Sequence, residues 1–271
     1  MCGDGANDLM AIREADVGVA ISDSDASYGA SFTITRMLQV DHIVRESKNV
    51  SQSIVDMIRY FGTISFLKII TAILLVSDVT YFSSNQISYF NFANSIWLAV
   101  FMGLSSPADT STKRRPLCNM MSLENHIIYW ANIILPTAGF CAAYFYFQQT
   151  AAFVPNGLPI VDSIKGYLGL KCTTNTIVWL MINLPFIVNA LCIYNSIPFK
   201  CQFFSNLPLL ITFVCNLAPA IVFFFVTGRM SPGLGLINLP NEQTGGVLGI
   251  MGIFLFASLL FNHFFQKWFI K

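Results

Sequence analysis

Six stretches of about twenty mostly apolar residues follow one another after residue 59, and polar connections that carry Gly or Pro separate them. Each stretch is long enough to cross a bilayer core of about 30 Å as a helix. A soluble helical core can hold one or two such stretches, so six in succession predict a bundle of transmembrane helices. The predicted spans are Tyr60–Val79, Ile87–Ser106, Ile127–Phe147, Thr176–Ser196, Leu207–Thr227 and Val247–Phe265.

The first 38 residues have a different pattern, typical of an α/β unit. Leu9–Ala15 predicts a short helix with Asn7 or Asp8 as its N-cap. Val17–Ile21 predicts a strand, which an acidic turn over residues 22–25 ends.

Residues 39–59 alternate between polar and apolar positions with helical spacing. This pattern predicts a stalk helix that runs directly into the first span. The alternative is an ordinary amphipathic helix that lies on the bilayer surface.

Composition supports an integral, multi-pass membrane protein embedded in a lipid bilayer. Hydrophobic residues make up 55% of the chain and charged residues 11%, which is too few charges for a soluble surface. The sequence has no strongly basic face, so it gives no indication of a nucleic-acid partner. If the N-terminal segment is inside, ten Lys and Arg residues lie on the cytosolic side and three on the other, which predicts that both termini are cytosolic.

The residues before the first helix, Cys-Gly-Asp-Gly-Ala-Asn-Asp, are the strongest candidate for chemistry. Asp4 and Asp8 are carboxylates four residues apart, and Gly3 and Gly5 allow the backbone to turn tightly and to approach a charged group. Oxygen ligands of this kind suit Mg²⁺, which usually shares them with phosphate. The alternative is a solvated acidic turn without a ligand.

The longer string GDGANDLMAIREADVGVAIS closely resembles the hinge motif of the P-type ATPases, the ion and lipid pumps that form an aspartyl-phosphate. Further segments are similar to the type-V branch of that family, and to its endolysosomal polyamine exporters in particular. These segments are Ala30–Thr33, Val44–Glu46, Ser105–Ala108, Arg114–Pro116, Asn183–Phe186 and Pro198–Phe199.

The resemblance implies a mainly α protein: a six-helix transmembrane bundle (60–271) and a stalk (39–59), preceded by the C-terminal piece of an α/β, haloacid-dehalogenase-like phosphorylation domain (1–38). It implies that Asp4 binds Mg²⁺, that Asn7 contacts the phosphoryl group and that Asp8 holds the loop and serves as a second metal candidate. Gly3 and Gly5 form the phosphate side of the loop.

The resemblance also implies a C-terminal fragment of a pump of an endolysosomal or other endomembrane. The phosphorylated aspartate of the family lies in an Asp-Lys-Thr-Gly sequence, which does not occur in this chain. The domains that supply most of the ATP-binding site would also precede this chain. We therefore expect the chain by itself to be inactive as an ATPase. The alternative is a standalone, non-catalytic membrane protein, such as a channel, scramblase or scaffold, derived from such a pump.

Lys68 is the candidate that bears on the transported cation or other small cargo. It lies about 12 Å into the first span, where a charge is costly and indicates a functional site, although a lysine that reaches back to the surface is the alternative. By resemblance, Lys68 stands where polyamine transporters carry a glutamine, and Asn91 stands where they carry an aspartate. Asn91 and Asn94 share a helix face and are predicted to line one cavity with Lys68. The predicted cargo is therefore anionic, zwitterionic or a lipid head group rather than an ordinary polyamine.

Overall fold

The computed structural model describes residues 1–21, 24–116, 118–154, 172–194, 198–226 and 232–269. Several predictions fall outside these residues. They are the start of the acidic turn, most of the connection 154–174, the last residues of the fourth and fifth predicted spans, and four of the basic residues used for orientation (Lys165, Lys171, Arg229 and Lys271).

The N-terminal residues form a small parallel sheet with one helix. The strands β1 (Cys2–Gly3), β2 (Val19–Ile21) and β3 (Phe32–Ile34) pair in the order β1-β2-β3. The helix α1 (Leu9–Glu14) connects β1 to β2, and Ile12 on its inner face packs against Ala20 and Ala26. The helix and strand predicted here are therefore present, each slightly shorter than predicted.

A single 39-residue helix, α2 (Gln39–Ser77), covers both the predicted stalk and the predicted first span. Its sequence contains no proline and one glycine, so nothing interrupts the backbone ladder over about 58 Å. Its N-terminal half is polar and its C-terminal half apolar, with Leu67 and Leu75 in the core of the bundle. The helix therefore connects the α/β unit to the bundle without a break.

Five helices in the described parts of the chain are long and apolar enough to cross a membrane. They are α2, α5 (Leu123–Gln148), α6 (Thr173–Ile193), α7 (Leu207–Phe225) and α8 (Asn241–Phe269). Two shorter helices, α3 (Ser84–Ser88) and α4 (Trp97–Gly103), lie between α2 and α5 in the chain. The apolar window of α6 is 94% buried, against 17% for α7. The helix α6 is therefore the centre of the bundle, and its polar residues are the ones that need partners inside the protein.

The second predicted span is helical but interrupted. It consists of α3 (Ser84–Ser88), a π-helix (Tyr89–Ile96) and α4 (Trp97–Gly103). None of the three pieces is long enough to count among the five long helices.

Side chains donate hydrogen bonds to backbone carbonyls in the wider turns of this π-helix. Asn216 donates to the carbonyl oxygen of Ala93 at 2.7 Å, and Ser95 donates to that of Phe90 at 2.9 Å. The Tyr60 hydroxyl lies 3.1 Å from the carbonyl oxygen of Asn94. A helix that spans a membrane tolerates an irregular turn when neighbouring polar groups bind the freed carbonyls, and π-turns are frequent at functional sites.

Candidate functional site

The acidic glycine loop is held by Asp8. The carboxylate Oδ2 of Asp8 accepts a hydrogen bond from the amide of Asp4 at 3.3 Å. The same carboxylate lies over Gly3, where an added Cβ would stand 2.4 Å from it. The amide of Asp8 donates to the carbonyl of Gly5 at 3.0 Å and closes the turn. Asp8 therefore braces the loop, and Gly3 is required because no side chain fits beneath that carboxylate.

Asp4 and Asn7, by contrast, point their side chains outward. Both are exposed, and the Asp4 carboxylate accepts no hydrogen bond from any residue that the structure describes. The loop leaves one carboxylate free to meet a ligand and uses the other to fix the backbone.

The carboxylates of Asp4 and Asp8 fit a magnesium site in which the protein supplies only some of the ligands. Within the described ranges, no group of three or more His, Cys, Asp or Glu residues is positioned to hold a metal ion. Asp4 and Asp8 can therefore supply one or two carboxylate ligands, and water or phosphate must supply the rest. Mg²⁺ is usually bound in this way.

The polar half of α2 is attached to the connection that follows α4. Arg45 donates to the carbonyl oxygens of Ala108 and Asp109 at 3.2 and 3.0 Å, and Asn49 donates to that of Ser105 at 2.7 Å. Three carbonyls of one short segment thus accept hydrogen bonds from one helix face, which attaches this segment to α2.

The same connection pairs with the segment before α7. The amide of Ala108 donates to the carbonyl of Phe199 at 3.1 Å, and the amide of Cys201 donates to that of Ser106 at 2.9 Å. Two loops from different parts of the bundle are thus joined to each other and to α2.

A buried ionic cluster, which sequence reasoning missed, lies next to this junction. We call Gln52, Asp56, Arg59 and Lys200 the Asp56 cluster. Lys200 donates to Oδ2 of Asp56 at 2.7 Å, Gln52 donates to Oδ1 at 2.8 Å, and an Arg59 nitrogen lies 3.6 Å from Oδ1. Asp56 is fully buried, Arg59 is 1% exposed and Lys200 is 2% exposed.

The cluster joins residues 144 positions apart in the chain, so no local pattern signals it. The available signal was the helical spacing that places Gln52, Asp56 and Arg59 on one face of α2. The partner on the far loop could not be identified from the sequence.

Lys68 lies in the apolar half of α2, where the structure gives it a polar partner and two rings. Its ammonium donates to Oδ1 of Asn91 at 2.7 Å. It also lies 5.5 and 5.7 Å from the ring centroids of Phe90 and Phe186, within the range of cation–π attraction.

Lys68 and Asn91 line a cavity of about 410 Å³. The other described residues of its wall are apolar, aromatic or threonine, and none is acidic. The polar groups of this cavity therefore consist of a cation, an amide and hydroxyls. A cavity of this composition attracts negative rather than positive charge.

Asn94 does not line this cavity. It donates instead to the side chain of Asn183 on the buried helix α6, and Asn183 donates to the carbonyl of Trp179 at 2.6 Å. Asn91 and Asn94 face different partners because the intervening turn is π-helical, whereas the prediction of a shared face assumed α-helical spacing. The structure thus brings together two of the three predicted cargo residues.

No family model matches the chain. Curated sequences nevertheless align with almost all of it. The polyamine-transporting ATPase 13A2 of Mus musculus is 24% identical over 270 residues, which cover 96% of this chain and 23% of the relative. The cation-transporting ATPase catp-5 of Caenorhabditis elegans is 25% identical over 280 residues, covering 98% of this chain and 22% of the relative.

The vacuolar cation-transporting ATPase YPK9 of Saccharomyces cerevisiae is 24% identical over 277 residues, covering 98% of this chain and 17% of the relative. The chain therefore spans about a fifth of the length of these relatives. The resemblance recognised in the sequence is confirmed: the homologues over nearly the whole chain are P-type ATPases of the cation- and polyamine-transporting type.

Proposed function

We propose that this chain forms the hinge loop, stalk and membrane bundle of an ATP-driven P-type transporter and works as part of a longer polypeptide. One observation carries the proposal: an acidic glycine loop suited to Mg²⁺ and phosphate is followed by a helix that enters the membrane bundle without a break. The relatives, which are named as transporting ATPases, support the same class.

The proposed topology has six spans with both termini in the cytosol. The interrupted helix Ser84–Gly103 supplies the second span, because its three pieces follow one another without a gap. The charge bias of the sequence supports the orientation. An endomembrane location is supported by the name of the vacuolar relative.

In the proposed pump, the reaction is the transfer of a phosphoryl group through an aspartate outside this chain. Bound Mg²⁺ would neutralise charge on the phosphate, which requires positioning more than covalent help. Asp4 would hold the metal, Asn7 would contact the phosphoryl group, and Asp8 would keep the loop folded over Gly3. ATP itself would be bound by other domains.

The test uses a complete pump that contains this chain. Asp4→Asn should abolish ATP turnover because it removes the metal ligand. Asp16→Asn, which neutralises an exposed acid outside the loop, is the matched control and should keep turnover. Normal turnover in the Asp4→Asn pump would contradict the proposal.

A second measurement separates this proposal from a standalone membrane protein. The isolated chain should release no phosphate from ATP, because it has the loop but no Asp-Lys-Thr-Gly sequence to accept the phosphoryl group. ATP-independent ion or lipid flux through the isolated chain in vesicles, equal to that of the complete protein, would favour the channel or scramblase alternative.

The Lys68 cavity bears on the cargo. A polyamine carries several positive charges, whereas this cavity offers an ammonium group and no carboxylate among its described residues. We therefore propose an anionic, zwitterionic or lipid-headgroup cargo. Spermine should not stimulate the ATPase of the complete pump. Stimulation by spermine that Lys68→Gln leaves unchanged would refute this assignment while leaving the ATPase itself established.

A further inference from the structure

We propose that the second span switches between the π-helix of this structure and a regular α-helix, and that this switch controls the Lys68 cavity. In the α-helical form, Asn94 turns away from α6 and its side-chain oxygen accepts a hydrogen bond from the Lys68 ammonium. The π-helical form leaves more donors of Lys68 free and is the form that binds an anionic group. The inference rests on the proposed role of this cavity as the cargo site.

The first observation is an unpaired acceptor on Asn94. Asn94 is fully buried, and its side-chain nitrogen donates to the side chain of Asn183. Its side-chain oxygen, Oδ1, has no hydrogen-bond partner among the described residues. A buried amide oxygen without a donor is costly, because it has lost its hydrogen bonds to water and gained none in return. The π-helical form therefore leaves one acceptor available for a different partner.

The second observation is a set of unused donors on Lys68. An ammonium group carries three N–H donors. Among the described residues, Lys68 donates one hydrogen bond, to Asn91, and otherwise contacts two aromatic rings. Asn91 and Asn94 are three positions apart, so in an α-helix they share a face with about 5–6 Å between their Cβ atoms. The ammonium that binds Asn91 is then also within reach of Asn94.

The third observation is the length of the π-helix and the way it is supported. It contains eight residues, whereas most π-turns occur singly inside α-helices. A π-turn takes in about one residue more than an α-turn, so Asn94 is displaced by roughly 60° from its α-helical direction relative to Asn91. The wide form depends on donors from side chains, including Asn216 of α7, which donates to the carbonyl oxygen of Ala93 at 2.7 Å. A return to α-helical spacing is therefore a local rotation of one short segment.

The Tyr60 hydroxyl is placed to serve both forms. It lies 3.1 Å from the carbonyl oxygen of Asn94 and 3.0 Å from that of Phe186 on α6. A hydroxyl has one proton to donate, so the two carbonyls compete for it. When the second span becomes α-helical, Tyr60 keeps Phe186 as its acceptor. The rearrangement therefore leaves this buried hydroxyl paired.

The two forms differ in what they offer to an anion. Lys68 and Asn91 line the cavity in the π-helical form, and two N–H donors of Lys68 remain beyond the bond to Asn91. In the α-helical form, Asn94 takes one of these two donors. A ligand shifts a two-state equilibrium toward the state that it binds better, so an anionic group at Lys68 favours the π-helix. Cargo binding and the helical spacing of the second span are therefore coupled.

The test counts the asparagine side chains next to Lys68 in the whole chain, reconstituted in phosphatidylcholine bilayers. Solid-state NMR measures the dipolar coupling between ¹⁵Nζ of lysine and ¹³Cγ of asparagine, and Lys68→Arg identifies the Lys68 signal by its loss. The unaltered chain should show one contact, to Asn91. Asn216→Leu combined with Ser95→Ala removes two donors to the π-helix, so it should raise the ratio of α-helical to π-helical form about a hundredfold and add a second contact.

The matched control combines Thr212→Ala with Ser65→Ala. Each of these hydroxyls bonds to a carbonyl of its own helix, away from the π-helix, so one contact should remain. Adding Asn94→Leu to Asn216→Leu and Ser95→Ala should abolish the second contact. Absence of a second contact without Asn94→Leu, or its persistence with Asn94→Leu, would overturn the switch.

The effect on binding is measured separately, with inorganic phosphate as the probe and the ¹⁵N shift of Lys68 as the signal. The apparent affinity should fall about tenfold or more when Asn216→Leu and Ser95→Ala are combined, because the binding form has become the minor one. Equal affinities in this variant and in the unaltered chain would overturn the control of the cavity by the switch. If no variant binds phosphate, the anionic cargo is refuted, whereas the count of contacts still decides whether the switch exists.

Discussion

Removal of the Asp56 carboxylate tests whether the buried cluster stabilises the bundle. Asp56→Asn keeps the shape of the side chain but leaves Arg59 and Lys200 buried without a counter-ion. Removing one partner of a buried ion pair costs about 3–5 kcal/mol, because the remaining charge stays out of water. We expect a loss of unfolding free energy in that range.

The arrangement of the cluster predicts an asymmetry between its members. After Lys200→Met, Asp56 still has Arg59 at 3.6 Å and the Gln52 hydrogen bond at 2.8 Å. The loss is then that of one charge-assisted hydrogen bond, about 2 kcal/mol. Combining Lys200→Met with Asp56→Asn removes one of the two stranded cations, so the double variant should be more stable than Asp56→Asn alone.

The assay is equilibrium unfolding of the chain in mixed micelles by sodium dodecyl sulfate, followed by the fluorescence of its four tryptophans. Asp41→Asn is the control, since it breaks the ion pair with Arg45 in which Asp41 is 50% exposed. Exposed pairs contribute less than about 1 kcal/mol. If Asp56→Asn destabilises the chain no more than Asp41→Asn does, the reasoning about the buried cluster is refuted.

Two further predictions concern the loop and the topology. Gly3→Ala should lower turnover of the complete pump about a hundredfold, because the added Cβ would stand 2.4 Å from the Asp8 carboxylate and displace it. Unchanged turnover would contradict the bracing role of Asp8. In a chain freed of native cysteines, Ser111→Cys should react with an impermeant reagent in sealed vesicles whose cytosolic face points outward. Val154→Cys should react only after the membrane is permeabilised, and its labelling in sealed vesicles would reverse the proposed orientation.

Hydrophobic pattern was sufficient to predict the mainly helical architecture, because a span needs nothing more than length and apolarity. It could not distinguish an α-helix from a π-helix in the second span. That difference depends on Asn216 and Tyr60, which lie far away in sequence and reach the carbonyls of Ala93 and Asn94. The prediction that Asn91 and Asn94 share a cavity was therefore wrong, because it assumed α-helical spacing.

Some of the site residues could likewise be predicted from the sequence, and others could not. Asp4, Asp8 and Gly3 lie within a few positions of one another, so the motif already contained the geometry that the structure gives them. The contact between Lys200 and Asp56 depends on how two loops fold back onto α2. The spacing of charges within a helix gives no information about a partner of this kind.

The continuity of α2 determines how a change at the N-terminal loop can reach the Lys68 cavity. From Asp41 to Lys68 the helix rises about 40 Å, and with no proline in this stretch it can tilt or rotate as a body but cannot shorten without breaking its backbone bonds. Arg45, Asn49 and Asp56 attach this body to two loops along the way. We expect these attachments to act as a pivot, so that a displacement of the α/β unit on one side moves Lys68 against Asn91 on the other.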